Sequence, residues 1–147
     1  MKKFVYKMQS VLNIKEKLEE QEKARYAAAL AKLNEEEEKL SQLYDRRAAC
    51  EERLRESVGA SLNVMAIRHN EDALETLKDF IGQQKLSVKK AQDNVDAAMH
   101  RLREAMAERK THERLKEKAF EEYLAEQNAE EQKEIDELVS YRHGTKE

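Results

Sequence analysis

Proline and tryptophan are both absent from the 147 residues, which include only three glycines, one cysteine and 5% aromatic side chains. Ordinary usage of about 5% would place roughly seven prolines in a chain of this size. Proline is a principal turn former and helix breaker, so its absence argues against a fold of many short elements joined by tight turns. Cys50 has no second cysteine to pair with, which suits a reducing compartment. The opening MKKFVYKMQSVLNIKEKLEE is positive at its start but lacks the apolar stretch of a secretory leader, and no 18-residue apolar run occurs anywhere. A soluble, cytosolic chain with no direct membrane insertion is expected. The formal charge is -3 with both signs mixed along the chain. No uniform basic field exists to hold phosphates, which argues against nucleic acid as the main partner.

What the sequence does contain is helix-forming residues. Ala, Glu, Lys, Leu and Arg account for 86 of the 147 residues, and 40% of the chain is charged. That composition predicts long helices once a helical period is found. Small and polar residues cluster once in the interior, at Ser57, Gly59, Ala60, Ser61 and Asn63. A turn over about 57–61 therefore separates a first helix over about 4–56 from a second over about 62–141. Gly59 would end the first helix in a left-handed conformation, and Ser61 would cap the second. Arg142 and His143, followed by Gly144, form the expected C-terminal signal.

Steps of three and four from Ile67 reach Asn70, Leu74, Leu77, Ile81, Gln84, Val88, Ala91, Val95, Ala98, Leu102 and Ala105. A repeat averaging 3.5 residues predicts a left-handed coiled-coil seam, with Asn70 and Gln84 fixing register. Apolar residues in the first helix (Phe4, Met8, Val11, Ile14, Leu18, Tyr26, Leu30, Leu33, Leu40, Leu43, Cys50, Leu54) are less regular. Their stripe drifts, predicting a register that changes along the helix. The fold class expected is all-α, a long antiparallel two-helix coiled-coil hairpin forming a single domain over residues 1–147.

Folding about Gly59 and Ala60 pairs residues whose numbers sum to about 119. The Ala27–Ala29 tract then meets Ala91, Leu43 lies near Leu77, and the first helix is exhausted near residue 118. From about Ala119 to Tyr141 the second helix would form a C-terminal overhang without an intramolecular partner. Phe120, Tyr123, Leu124, Ile135 and Leu138 on that overhang are the candidate partner-binding residues, because an apolar stripe on an unsupported helix marks an interaction surface. Glu121 to Leu138 carries a charge of -7, whereas Met1 to Arg25 and His100 to Lys118 each sum to +3. The overhang could equally pair with a second copy.

Chemistry-bearing motifs are missing. The four histidines are widely spaced, and no HExxH, P-loop, GxGxxG or CxxC occurs. Neither catalytic residues nor a metal or other cofactor is expected, and a two-helix hairpin offers no deep pocket for catalysis. The chain reads as a non-enzyme.

Three segments carry a resemblance: the opening FVYKMQSVLNIKEKLEEQEKARY, the turn GASLNVMAIRHNEDALETL and the tail EEQKEIDELVSYR. With the chain length and the turn position, they make the whole chain resemble the flagellar export protein FliJ family. The resemblance implies a component of the flagellar type III export apparatus, similar to the central stalk of rotary ATPases. Its implied partners are a hexameric export ATPase, the cytoplasmic domain of the export gate protein, and export chaperones. It also implies a chain that is monomeric when free and cytoplasmic, recruited peripherally to the apparatus at the inner membrane. The family's gate-contacting patch falls on both helices near the turn, where Leu43 and Leu77 keep the family's residue type. A generic coiled-coil scaffold or homodimer is the alternative.

Overall fold

The computed structural model describes residues 2–60 and 63–145, which form two helices, α1 (Gln9–Ala60) and α2 (Val64–Thr145), and no strand among the described residues. The expected helical hairpin is present, with shifted boundaries. Residues 2–6 are not helical, and α1 begins where the Gln9 N–H donates to the Tyr6 carbonyl at 3.2 Å and the Leu12 N–H to that of Met8 at 3.0 Å. The run Phe4–Val5–Tyr6 consists of weak helix formers, and Phe4 packs against α2 instead. At the far end α1 continues through Gly59, and no described glycine has positive φ. The left-handed cap expected at Gly59 does not form. Gly144 likewise lies within α2, whose last turn carries Arg142 and His143 as anticipated.

Ser61 and Leu62 lie outside the described residues, and Asn63 caps α2. Its side-chain oxygen accepts from the N–H groups of Met65 at 3.2 Å and Ala66 at 3.3 Å, while its carbonyl accepts from Ile67 at 3.1 Å. Asparagine is among the best residues for satisfying these orphan donors.

The chain divides into two compact units, Glu22–Leu102 and Met1–Gln21 with Arg103–Glu147. In the first, here the turn unit, Leu33, Ala91 and Val95 form a buried cluster against which Tyr26, Ala29, Leu30 and Val88 pack. Ala29 packs against this cluster, whereas Ala27 and Ala28 of the same tract are exposed. Cys50, 1% exposed, donates its S–H to the Asn70 carbonyl at 3.5 Å. Gln84 donates to both the Glu36 carbonyl, at 2.8 Å, and the Glu36 carboxylate, at 2.5 Å. The polar seam position thus bonds directly across the helix pair, which pins the register.

These bonds, with an ion pair from Lys32 at 3.0 Å, hold the Glu36 carboxyl below the usual carboxylate range, the Gln84 hydrogen bond being the largest cause. A carboxyl more acidic when folded than when unfolded contributes stability at neutral pH that is lost as pH falls through its folded value. Acid titration of the melting temperature should therefore be shallower below the ordinary carboxylate range in Glu36→Gln than in the parent chain. Equal slopes would assign the acid dependence elsewhere.

Every seam position from Ile67 to Ala105 is buried or half-buried. In α1 the expectation needs correction. The inward residues are Leu12, Lys15, Glu19, Glu22, Tyr26, Ala29, Leu33, Glu36, Leu40, Leu43, Cys50, Leu54 and Ser57. They keep alternating steps of three and four, broken only where exposed Arg47 takes its turn. The heptad does not drift; its letters are polar at several places, and the apolar Ile14 and Leu18 stand outside it, 55% and 39% exposed.

Gly82 is exposed in mid-helix, and a Cβ there would meet nothing within 4 Å. Nothing in the fold requires glycine. Gly82→Ala should stabilise the chain by about 1 kcal/mol, read as a higher urea midpoint at unchanged slope.

Candidate functional site

The unit that contains both termini holds most of the candidate partner-binding residues. Its helix pair is joined by ion pairs as well as by the buried Leu12. Arg109 forks onto Glu19, with Nε 2.5 Å from one carboxylate oxygen and an N–H of the other arm 3.2 Å from the second, and it also reaches Glu113 at 2.9 Å. Lys15 and Glu108 pair at 2.8 Å. The Glu19 hydrogen bond is the main reason the Arg109 guanidinium is held above its ordinary value, and the Lys15 hydrogen bond the main reason the Glu108 carboxyl is held below its own. Bidentate contacts of this kind fix geometry as well as charge, so they position the helices at the inward places that Glu19 and Lys15 take.

Beyond this network the extended N-terminal segment lies against α2. The Phe4 ring meets Phe120 edge-on at 5.1 Å and Tyr123 at 5.4 Å, and the Tyr123 hydroxyl donates to the Lys2 carbonyl. Gln127 is buried. Two of the candidate residues, Phe120 and Tyr123, were expected to lack an intramolecular partner; the structure gives them Phe4. The reason lies at the turn. Contacting pairs such as Lys15 with Glu108 and Glu36 with Gln84, like Phe4 with Phe120, have numbers summing to 120–124. The helices part between Ala60 and Val64, not at Gly59, which moves every pairing toward the C-terminus.

The overhang accordingly starts after Gln127. Every residue from Asn128 to Gly144 is exposed, including Ile135 at 53%, Leu138 at 63% and Val139 at 49%. Ile135, Leu138 and Val139 are spaced by three and four and share one side of α2. Leu124 stands before this stretch, 40% exposed.

Leu43 and Leu77 are in the turn unit, and both are half-buried in its seam. Leu43 also lines a shallow groove of about 400 Å³ with Lys39, Arg46, Phe80, Gln83 and Gln84. Phe80 is half exposed beside it, so an apolar ring accompanies Leu43 at the surface. Neither Phe4 nor Phe80 was selected from the sequence. Phe4 is beyond the reach of helical pairing, because residues 2–6 are not helical. Phe80 lies one residue before the seam position Ile81, a place that the heptad alone assigns to the outside.

Among the described residues no group of three or more His, Cys, Asp and Glu side chains is arranged to hold a metal ion, and no helix is long and apolar enough to cross a membrane.

A solved structure from Chlamydia trachomatis, CT670, described as a candidate YscO homologue, is similar over 96% of both chains with a TM-score of 0.56 and 22% identity. That likeness is one of fold. No curated protein matches the chain. Residues 3–147 match the family described as the flagellar FliJ protein, spanning both helices and the turn. The chain therefore belongs to the FliJ family, structural components of the flagellar type III export apparatus.

Proposed function

We propose that the chain acts as a stalk and adaptor for the export ATPase. The end bearing the termini docks at the centre of the hexameric ATPase ring, promotes its assembly and raises its ATP turnover. The turn unit links the ring to the cytoplasmic domain of the export gate through the surface around Leu43 and Leu77, and the chain also engages export chaperones. The protein is monomeric when free and cytoplasmic, recruited peripherally to the inner-membrane apparatus. Its contribution is mechanical, and hydrolysis belongs to the partner.

One observation carries this reading: the exposed stretch of α2 after Gln127, where Ile135, Leu138 and Val139 form an apolar side amid acidic residues. An amphipathic helix of this sort is suited to burial in a groove or ring lumen lined by other helices. Titrating the chain into the purified export ATPase tests it. Higher ring occupancy in sedimentation and a several-fold rise in ATP turnover are expected at micromolar concentration. Absence of both effects overturns the stalk reading, and a tight homodimer through residues 128–145 would favour a coiled-coil scaffold.

A further inference from the structure

The charges of the exposed stretch after Gln127 are not spread evenly about its apolar side. With about 100° of rotation per helical residue, Leu138 and Val139 form the two edges of that side and Ile135 lies between them. Glu130, Glu131, Glu134 and Glu137 all fall on the Leu138 side of Ile135, whereas the Val139 side carries one acid, Asp136, and one cation, Lys133. Arg142 continues the line of Ile135 two turns on. One flank is therefore strongly acidic and the other balanced. On the acidic flank Glu134, Glu137, Leu138 and Tyr141 border a shallow groove of about 480 Å³. Two carboxylates, a phenol ring and a leucine suit a long cationic side chain, whose stem lies on the apolar groups while its head meets the acids.

We propose that this face is met by a helical surface whose apolar strip is bordered along one side by arginine or lysine, and that Glu134 and Glu137 set which way round the tail lies on it. The inference rests on the reading of this stretch as the ATPase-docking helix, and adds the chemistry and the orientation of the surface it meets. Ile135, Leu138 and Val139 supply apolar contact, which by itself is compatible with several rotations of α2 about its axis. Charge on one flank only selects among them, because the wrong rotation removes the acids from their cations or sets like charges together. A second copy of the chain is a poor occupant, since a two-fold pair brings two such acidic flanks into one interface.

The test uses the full chain and the purified export ATPase, with affinity followed by the anisotropy of a fluorescein label on the chain. Glu134→Lys and Asp136→Lys change the net charge by the same amount on opposite sides of the apolar strip. Both positions are exposed, so circular dichroism should show the parent's helix content. Glu134→Lys should weaken association about tenfold or more, and adding Glu137→Lys should weaken it further, whereas Asp136→Lys should change it less than about threefold. Parent affinity should fall as sodium chloride is raised, and the double variant should respond less steeply. Equal losses in the two single variants would mean that net charge alone matters and would overturn the proposal. Binding indifferent to charge reversal and to salt overturns it while leaving the stalk reading intact. A parent chain that does not bind the ATPase overturns both readings, and so does a tight homodimer through residues 128–145.

Discussion

Leu33→Ala should cost about 2–3 kcal/mol of unfolding free energy, the largest loss expected from one truncation in this chain. Leu33 is 7% exposed and is the α1 member of the buried cluster with Ala91 and Val95. Both facing residues are small, so they cannot expand into the space left by a lost isobutyl group. Tyr26, Leu30 and Val88 flank the cluster but belong to helices whose register is pinned elsewhere, notably by Gln84 on Glu36. Collapse is therefore limited, and the cavity penalty adds to the lost transfer energy. The measurement is the urea midpoint of the variant at the parent's slope. Leu18→Ala is the matched control. It removes the same side chain from an exposed site beside the heptad, and should change stability by less than about 0.5 kcal/mol. If the two substitutions cost the same, the assignment of inward and outward positions on α1 is wrong.

A second large effect concerns binding. Ile135→Asp combined with Leu138→Asp should weaken association with the export ATPase by about three orders of magnitude, since two hot-spot contacts at about 2 kcal/mol each sum to about 4 kcal/mol and every 1.4 kcal/mol is tenfold. Both side chains are exposed in the free chain, at 53% and 63%, so the thermal midpoint should move little. Measuring affinity and melting together separates the explanations. Loss of affinity with unchanged melting supports the docking role, whereas lost melting would mean these residues pack within the monomer. Retained affinity would assign the ATPase contact to another part of the chain.

The contrast between Leu33 and Leu18 also shows where the residues themselves were sufficient. Along α2 the seam from Ile67 to Ala105 is apolar at ten of twelve places, and all twelve are at least half-buried. Apolar spacing and burial coincide there because the hydrophobic effect alone defines the face. In α1 they separate. Lys15, Glu19 and Glu36 take inward positions because partners on α2, namely Glu108, Arg109 and Gln84, meet them across the interface. A pattern read from hydrophobicity alone steps aside to Ile14 and Leu18. Such pairing is non-local, and no single helix displays it.

The break between the helices lies a few residues later than the Gly59 signal places it, for a similar reason. Gly59 can adopt a left-handed cap, but it can also continue a helix, and the capping bonds of Asn63 set the start of α2. This small displacement, with the non-helical path of residues 2–6 that carries Phe4 to Phe120, shortens the overhang to the residues after Gln127. Of the candidate site, Ile135 and Leu138 were legible as exposed apolar residues on a helix end. The partner of Phe120 and Tyr123 was not, because residues 2–6 abandon the helical geometry from which the pairing was reckoned.

The charged fastening of the terminal unit gives it a different sensitivity to its surroundings from that of the turn unit. The exposed end of the Lys15–Glu108 pair feels mobile ions, whose screening reaches about 8–10 Å at 0.1–0.15 M, and the His112 Nδ1 atom is enclosed there without a hydrogen-bond partner. The apolar cluster around Leu33 is strengthened by salting-out salts. Raising sulfate concentration should thus tighten one stretch of the helix pair while loosening the other. Amide exchange should quicken near Lys15 and slow near Leu33, which would make ionic composition, without any ligand, a control on how firmly each stretch of the helix pair is held.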